Sequence, residues 1–371
     1  MYVFTIYLIF ILVFYVFQSR AAGFNYSKEG NKITLFFLLF SLFITLGLRD
    51  ISVGVDTSAY NYEFINSERY LVESLRGIEI GFSMILYLAN SLGMSFSGFL
   101  FLSSAFSFYA FYRLGYTFKA SAVIYIFLLI IVGVISFSMS GLRQYLALTI
   151  VIYGVLAFRY SFLLSIVLLI LAFFVHSSSI IFSLIFILFT SFYRYMNFKV
   201  VFFFISSIVI FVKLFAVEIL HILVIFGLYN NTYLEDSTFT NEKVVFLHLF
   251  ILFFSLLFIR LAGILPFSIK DESYVSKNEL RDEVIKNFGL ISMMIVPAIV
   301  VLSTEVRLLE RIAIYFMPLQ CAYISYLFSS VANYKTLFLM KFSFFIISLS
   351  IAAYFIVTMD VYYNYSFNDW F

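Results

Sequence analysis

Residues 121–158 read SAVIYIFLLIIVGVISFSMSGLRQYLALTIVIYGVLAF. Two long apolar runs meet there across Ser140-Gly141-Leu142-Arg143-Gln144, with almost no loop between them. A helix that crosses the hydrocarbon of a bilayer takes about 20 mostly apolar residues, so two such runs back to back read as neighbouring passes of a helical membrane protein. The same texture runs through the chain, which is 64% hydrophobic and 12% charged. Apolar runs fall near 2–17, 32–48, 96–112, 120–138, 144–158, 162–175, 179–192, 200–217, 244–265, 288–304, 312–329 and 336–359. This pattern predicts an all-α polytopic membrane protein with about twelve transmembrane helices.

A shorter apolar stretch, Ile78–Gly93, covers roughly 22 Å as a helix, less than the hydrocarbon thickness of about 30 Å. It is expected to be re-entrant or to lie in the interface. With that parity, fifteen of the 23 basic residues collect on one face, among them Arg113, Lys119, Arg159, Arg281 and Lys286. The positive-inside bias makes that face cytoplasmic, and most acidic residues fall on the other. One integral membrane domain over 1–371 is expected, with an outer-face loop at 49–77, the short helix at 78–93 and a cytoplasmic loop at 266–287. The run 2–17 lacks a basic flank and a small-residue cleavage site, so it is expected to remain as the first helix. A single cysteine, Cys321, provides neither a disulfide nor a thiolate metal site within the chain.

Chemistry concentrates at the outer-face breaks. The first is Gly47–Tyr60, GLRDISVGVDTSAY, where Arg49, Asp50 and Asp56 follow a long apolar helix. Charges at a membrane boundary call for a partner or a function. Arg49 and Asp50 can simply pair, and Asp56 followed by Thr57 and Ser58 can cap a helix. Glu79 begins the short helix, either as a site carboxylate or as a solvated charge on an amphipathic segment. Arg143 and Gln144 stand at a nearly loopless turn beside a helix N-terminus, suited to an anion, though a boundary arginine also snorkels. His176 opens His-Ser-Ser at the end of an apolar run, a position open to a capped, hydrogen-bonded histidine as well as to a base. Arg307 and Arg311 are four apart in EVRLLER (305–311) and share a helix face, with Glu310 near enough to neutralise Arg307. No metal-ligand spacing is present; a divalent cation shared by Asp50, Asp56 and a phosphate is the one cofactor these residues leave open. A P-loop and a dinucleotide fingerprint are also absent, and no nucleic-acid partner is expected.

The order of motifs resembles the EpsG family of bacterial polysaccharide polymerases, similar in role to Wzy O-antigen and capsule polymerases. The motifs are L-R-D-x-x-V-G-x-D-T-x-x-Y (Leu48 to Tyr60), E-x-G-F (Glu79 to Phe82), G-L-R-Q-Y-L-A (Gly141 to Ala147), H-S-S (His176 to Ser178) and E-R-x-A-x-Y-F (Glu310 to Phe316). Ile80 and Ser140 stand where the family often has proline and asparagine, so contacts to a particular sugar are expected to differ. The resemblance implies a fold like the GT-C glycosyltransferases and a bacterial inner-membrane location with the site facing the periplasm or cell exterior. It implies a polyprenyl-pyrophosphate-linked oligosaccharide as donor and a second lipid-linked repeat unit as acceptor, with membrane lipid around both and a chain-length regulator as a further partner.

Transfer from such a donor needs donors of hydrogen bonds for the leaving pyrophosphate and a base for the acceptor hydroxyl. Arg143 and Arg311, with Arg49, Arg307 and Gln144, suit the first role, since planar guanidinium forks match phosphate oxygens. Tyr60 and Tyr315 complete the expected binding set. Asp56 is the favoured base, with Glu79, Asp50 and His176 as rivals. Two other readings share this chain: ligation of a finished glycan to another acceptor, as in O-antigen ligases, and transport of lipid-linked oligosaccharide. Transport calls for charge deep in the spans, where Lys213, with Glu218 nearby, is the main candidate.

Overall fold

The computed structural model describes residues 28–54, 56–75, 79–195, 198–215, 242–262, 276–303 and 308–330. The expected runs at 2–17 and 336–359, Arg307 and Glu218 lie outside the described residues, as does the side chain of Glu310. Every regular element among the described residues is helical: α1 (Lys28–Gly47), α2 (Thr57–Ile65), α3 (Ser67–Ser74), α4 (Ile80–Ser91), α5 (Phe96–Phe118), α6 (Ala122–Ile131), α7 (Val134–Ser140), α8 (Leu142–Ala157), α9 (Phe162–Val175), α10 (Ser179–Phe192), a 3-10 turn (Tyr193–Tyr195), α11 (Phe198–Leu214), α12 (Glu242–Ala262), α13 (Lys277–Leu302) and α14 (Leu308–Ser330).

Helices α1 and α5 lie antiparallel. Phe36 meets Tyr112, Phe40 meets Phe108 and Phe43 meets Phe111, with ring centroids 5.8, 5.8 and 5.5 Å apart. At one end Leu35 packs against Gly115, and at the other Gly47 lies against Phe101 and Ser104. The chain therefore leaves α1 and returns into α5 at the same end, and everything between is an excursion there. Helix α4 pairs with α3, with Asn90 donating to Ser67 across the pair. At 12 residues it is among the shorter apolar helices. The expected outer loop 49–77 contains two helices of its own, α2 and α3.

The centre of the bundle is α6, whose residues Ala122 to Ile130 are all buried. A helix apolar all round can settle only inside other protein or in lipid, and here α1, α14 and α7 cover it. Gly133, at φ +83°, breaks it from α7, and the two segments are bent by 50°; the left-handed backbone suits glycine. The same core continues between α10, α13 and α14, where Phe182, Phe186, Phe288 and Phe316 interlock with centroids 4.7 to 6.3 Å apart. Hydroxyls inside the helices bond back to carbonyls a turn earlier, as Ser107, Ser255, Ser292 and Ser325 do. That satisfies their polarity without water.

The end opposite the excursion is basic. Arg159 pairs with Asp282 at 3.1 Å, and Arg281 donates to the Tyr160 carbonyl at 2.8 Å. Asn31 donates to Ala120 and accepts from the Ala122 amide, holding α1 to α6. A capping box of Ser276 and Glu279 starts α13, so residues 277–287 of the expected cytoplasmic loop are instead the first turns of a long helix.

Side chains such as Leu163, Phe203 and Phe253 point outward, 64 to 74% exposed, from α9, α11 and α12. So much apolar surface suits lipid rather than water. By length and composition two helices can cross a membrane, Asn278–Leu302 and Arg311–Ser330, and the bent pair α6–α7 makes a third if it is one span. Others are shorter: α8 has 16 residues and α9 and α10 have 14 each, or roughly 21 to 24 Å of helix. The expectation of twelve full spans thus goes beyond what these lengths establish.

Candidate active site

The excursion between α1 and α5 is pinned to the bundle by its backbone. Gly54 has φ +98°, and a Cβ there would collide with the Met139 carbonyl oxygen at the end of α7. Thr57 Oγ1 donates to the Val53 carbonyl at 2.7 Å and lies 3.1 Å from that of Met139. Only glycine tolerates both the left-handed backbone and the close approach. This docking brings Asp56, at the start of α2, beside the start of α8.

Asp56 occupies the N-cap position of α2, but its side chain makes no cap bond. The capping alternative for this carboxylate therefore does not describe the structure; its backbone carbonyl accepts from Tyr60 instead. Burial pushes the Asp56 carboxyl up from the ordinary aspartate range, opposed by the positive charges of Arg311 and Arg143. One and two helical turns further on, Tyr60 and Glu63 share its face of α2.

Arg143 is the hub. Its Nη1 donates to Glu79 Oε2 at 3.0 Å, and its Nη2 lies 3.7 Å from Glu63 Oε1. The guanidinium also sits over Phe82 and Tyr60, 5.3 and 5.9 Å from their ring centroids. Charge-assisted bonds and aromatic faces together fix a planar fork in a way an ammonium cannot reproduce.

Glu79 gathers the other partners. Its Oε1 accepts from the Ser177 amide at 3.0 Å and the Ser177 hydroxyl at 2.8 Å, and His176 Nδ1 is 2.8 Å away. Burial pushes this carboxyl up, yet His176 and Ser177 outweigh burial and hold it well below the usual glutamate range. Close packing makes the contact possible: a Cβ on Gly81 would lie 2.9 Å from the Phe174 backbone, so α4 abuts the end of α9. Ser178 then shares a hydrogen bond with the Tyr315 hydroxyl at 3.2 Å, and Gln144 donates to the Arg311 carbonyl. Four elements far apart in sequence are thereby tied to α8.

Two expected site residues lie apart. Asp50 accepts from the amide and hydroxyl of Ser52 at 2.9 and 2.7 Å; it is exposed, and those bonds hold its carboxyl below the usual range. It closes a local turn. Arg49 faces Tyr145 rather than the Arg143 cluster; its Nη1 reaches the Leu46 carbonyl at 3.5 Å, and its Nε and Nη2 are buried with no hydrogen-bond partner among the described residues. Tyr145 is two residues beyond Arg143, about 200° around α8, which explains the separation. Among the described residues no group of three or more His, Cys, Asp or Glu side chains is placed to hold a metal ion.

Glu63 and Ser177 belong to the cluster although neither stood out as a site residue in the sequence. Glu63 was legible in principle, since Asp56, Tyr60 and Glu63 follow the i, i+4, i+7 spacing of one helix face.

A helical membrane protein with a charged, half-buried cluster at one end of its bundle is the class these features define. The chain belongs to the EpsG family: the model of that family matches residues 32–367, which takes in every motif of the cluster. The family is polysaccharide polymerase-like. No curated protein and no solved structure matches the chain.

Proposed function

We propose that this protein polymerises lipid-linked oligosaccharide repeat units, transferring glycan from a polyprenyl pyrophosphate to a second lipid-linked unit at the outer face of the bacterial inner membrane. The observation that carries the reading is the meeting of Asp56, Glu79, Arg143, His176 and Arg311 at one end of the bundle, within a chain of the EpsG family. In the bilayer the chain makes twelve passes in an arrangement like that of GT-C glycosyltransferases, with the basic end cytoplasmic.

Arg143 and Arg311 hold the pyrophosphate, and Gln144 braces Arg311 through its carbonyl. Asp56 takes the proton of the acceptor hydroxyl as that oxygen bonds to the anomeric carbon. The anomeric C–O bond to pyrophosphate breaks, its electron pair leaving on the polyprenyl pyrophosphate. A raised carboxyl is the better base of the candidates, whereas Glu79, saturated and held low, positions Arg143 and His176. The contact between Glu79 and His176 Nδ1 supports a second arrangement, in which the imidazole is the base and Glu79 orients it.

Orientation is tested by single cysteines. In a Cys321→Ser background, Asn66→Cys at the site end is expected to react with an impermeant thiol reagent added outside, and Tyr160→Cys at the basic end only after permeabilisation. The reverse pattern overturns the outer-face assignment. Function is tested by the glycans of a strain lacking the protein. A surface glycan cut to one repeat unit supports polymerisation; a long unattached glycan means ligation, and absence of any exported unit means transport.

A further inference from the structure

We propose that Glu63 is a displaceable stand-in for the donor's phosphate, a carboxylate that faces one terminal nitrogen of Arg143 and yields it when the lipid-linked pyrophosphate binds. The inference rests on the reading of Arg143 as a pyrophosphate ligand.

The two carboxylates on Arg143 are unequal. Glu79 makes a direct hydrogen bond at 3.0 Å, and its other oxygen is locked by Ser177 and His176. Glu63 stands 3.7 Å from Arg143, beyond hydrogen-bonding reach; its other side-chain partner is Tyr70, and its Oε2 is buried with no close hydrogen-bond partner among the described residues. With a long contact to Arg143 and one tie to Tyr70, Glu63 is held less firmly than Glu79 with its four partners. Its grip is on Nη2, the terminal nitrogen that Glu79 does not use. A phosphate oxygen placed there gains a charge-assisted bond and displaces Glu63, while Glu79 keeps the guanidinium in place.

Groups facing Glu63 come from several elements: Arg143 on α8, Tyr70 on α3, and Asp56 and Tyr60 at the start of α2. Glu79 and His176 lie one contact further, through Arg143. Burial pushes the Glu63 carboxyl up, against the pull of Arg143 and Tyr70 and aided by Asp56. Protonation therefore begins at a higher pH than for an ordinary glutamate. A protonated Glu63 no longer competes for Arg143, so binding of a pyrophosphate diester, whose own charge is constant near neutrality, tightens as pH falls.

The experiment is equilibrium binding of farnesyl-pyrophosphoryl-glucose to the purified full-length protein in nanodiscs, from pH 7.5 to 5.5. Glu63→Gln is expected to lower Kd at pH 7.5 by roughly tenfold, the scale of losing one competing charge-assisted contact, and to flatten the slope with pH. Glu63→Asp, which withdraws the carboxylate but keeps the charge, is expected to fall between. Unchanged affinity and slope in Glu63→Gln, or weaker binding, overturns the proposal while Arg143→Ala still abolishes binding. If Arg143→Ala binds the probe as well as the parent, the pyrophosphate reading itself fails.

Discussion

Arg143→Lys and Arg143→Ala are each expected to cut polymer synthesis on the order of 100-fold, the scale of removing one preorganised donor from a developing anion. The lysine variant is the more informative. An ammonium at that position keeps the charge, but it is a point donor on a flexible stem. It cannot hold Glu79 through one nitrogen, face Glu63 with another and lie flat over Phe82 and Tyr60 at once. Alanine removes the cation from two carboxylates. Losing one partner of a fully buried pair costs about 3–5 kcal/mol; here the cost is smaller, because Arg143, Glu79 and Glu63 remain 27, 25 and 21% exposed. The alanine protein is therefore expected to fold, with a lowered melting temperature. Turnover of a lipid-linked donor by purified variants, read beside thermal melts, checks both. Full activity in the lysine variant would mean that a point charge suffices and the fork is irrelevant. Full activity in the alanine variant would remove Arg143 from the site.

Much of this architecture was legible because membrane helices announce themselves locally. Wherever an expected run falls within the described residues, as at 120–138, 144–158 and 312–329, a helix is found; the glycines at 133 and 141 mark the break and the turn around α7. The pairings inside the site were less accessible. Glu79 and His176 read as rival bases, since nothing within either segment tells that the two are partners; Glu79 and Ser177, the next residue, are 98 positions apart. Their meeting depends on how closely α4 approaches α9 at Gly81, a packing distance with no sequence period. Asp50 and Arg49 show the converse separation. Neighbours of Asp56 in sequence, they are carried away from it by a turn at Ser52 and by the far face of α8.

Asp56→Asn is expected to lower polymer synthesis by a factor on the order of 100 or more, the usual scale for a general base, while the protein stays folded and still binds lipid-linked donor. The structure sharpens this test because the side chain does not cap α2, so asparagine forfeits no cap bond. The electrostatics point the same way. Burial raises the Asp56 carboxyl above its ordinary value of about 3.9, with Arg311 and Arg143 opposing. A carboxyl whose folded pKa lies above its unfolded one contributes stability below the unfolded value and loses it as pH rises through the folded value. At neutral pH the ionised Asp56 is thus a net cost to folding, and the amide variant is expected to melt at the same temperature or higher. Activity runs opposite to stability: the base works only when ionised, so the parent's acid limb lies at a higher pH than an ordinary aspartate would give, and the variant lacks it. A purified Asp56→Asn protein with near-normal turnover and an unchanged acid limb would transfer the base to His176, oriented by Glu79. His176→Gln would then carry the large loss instead.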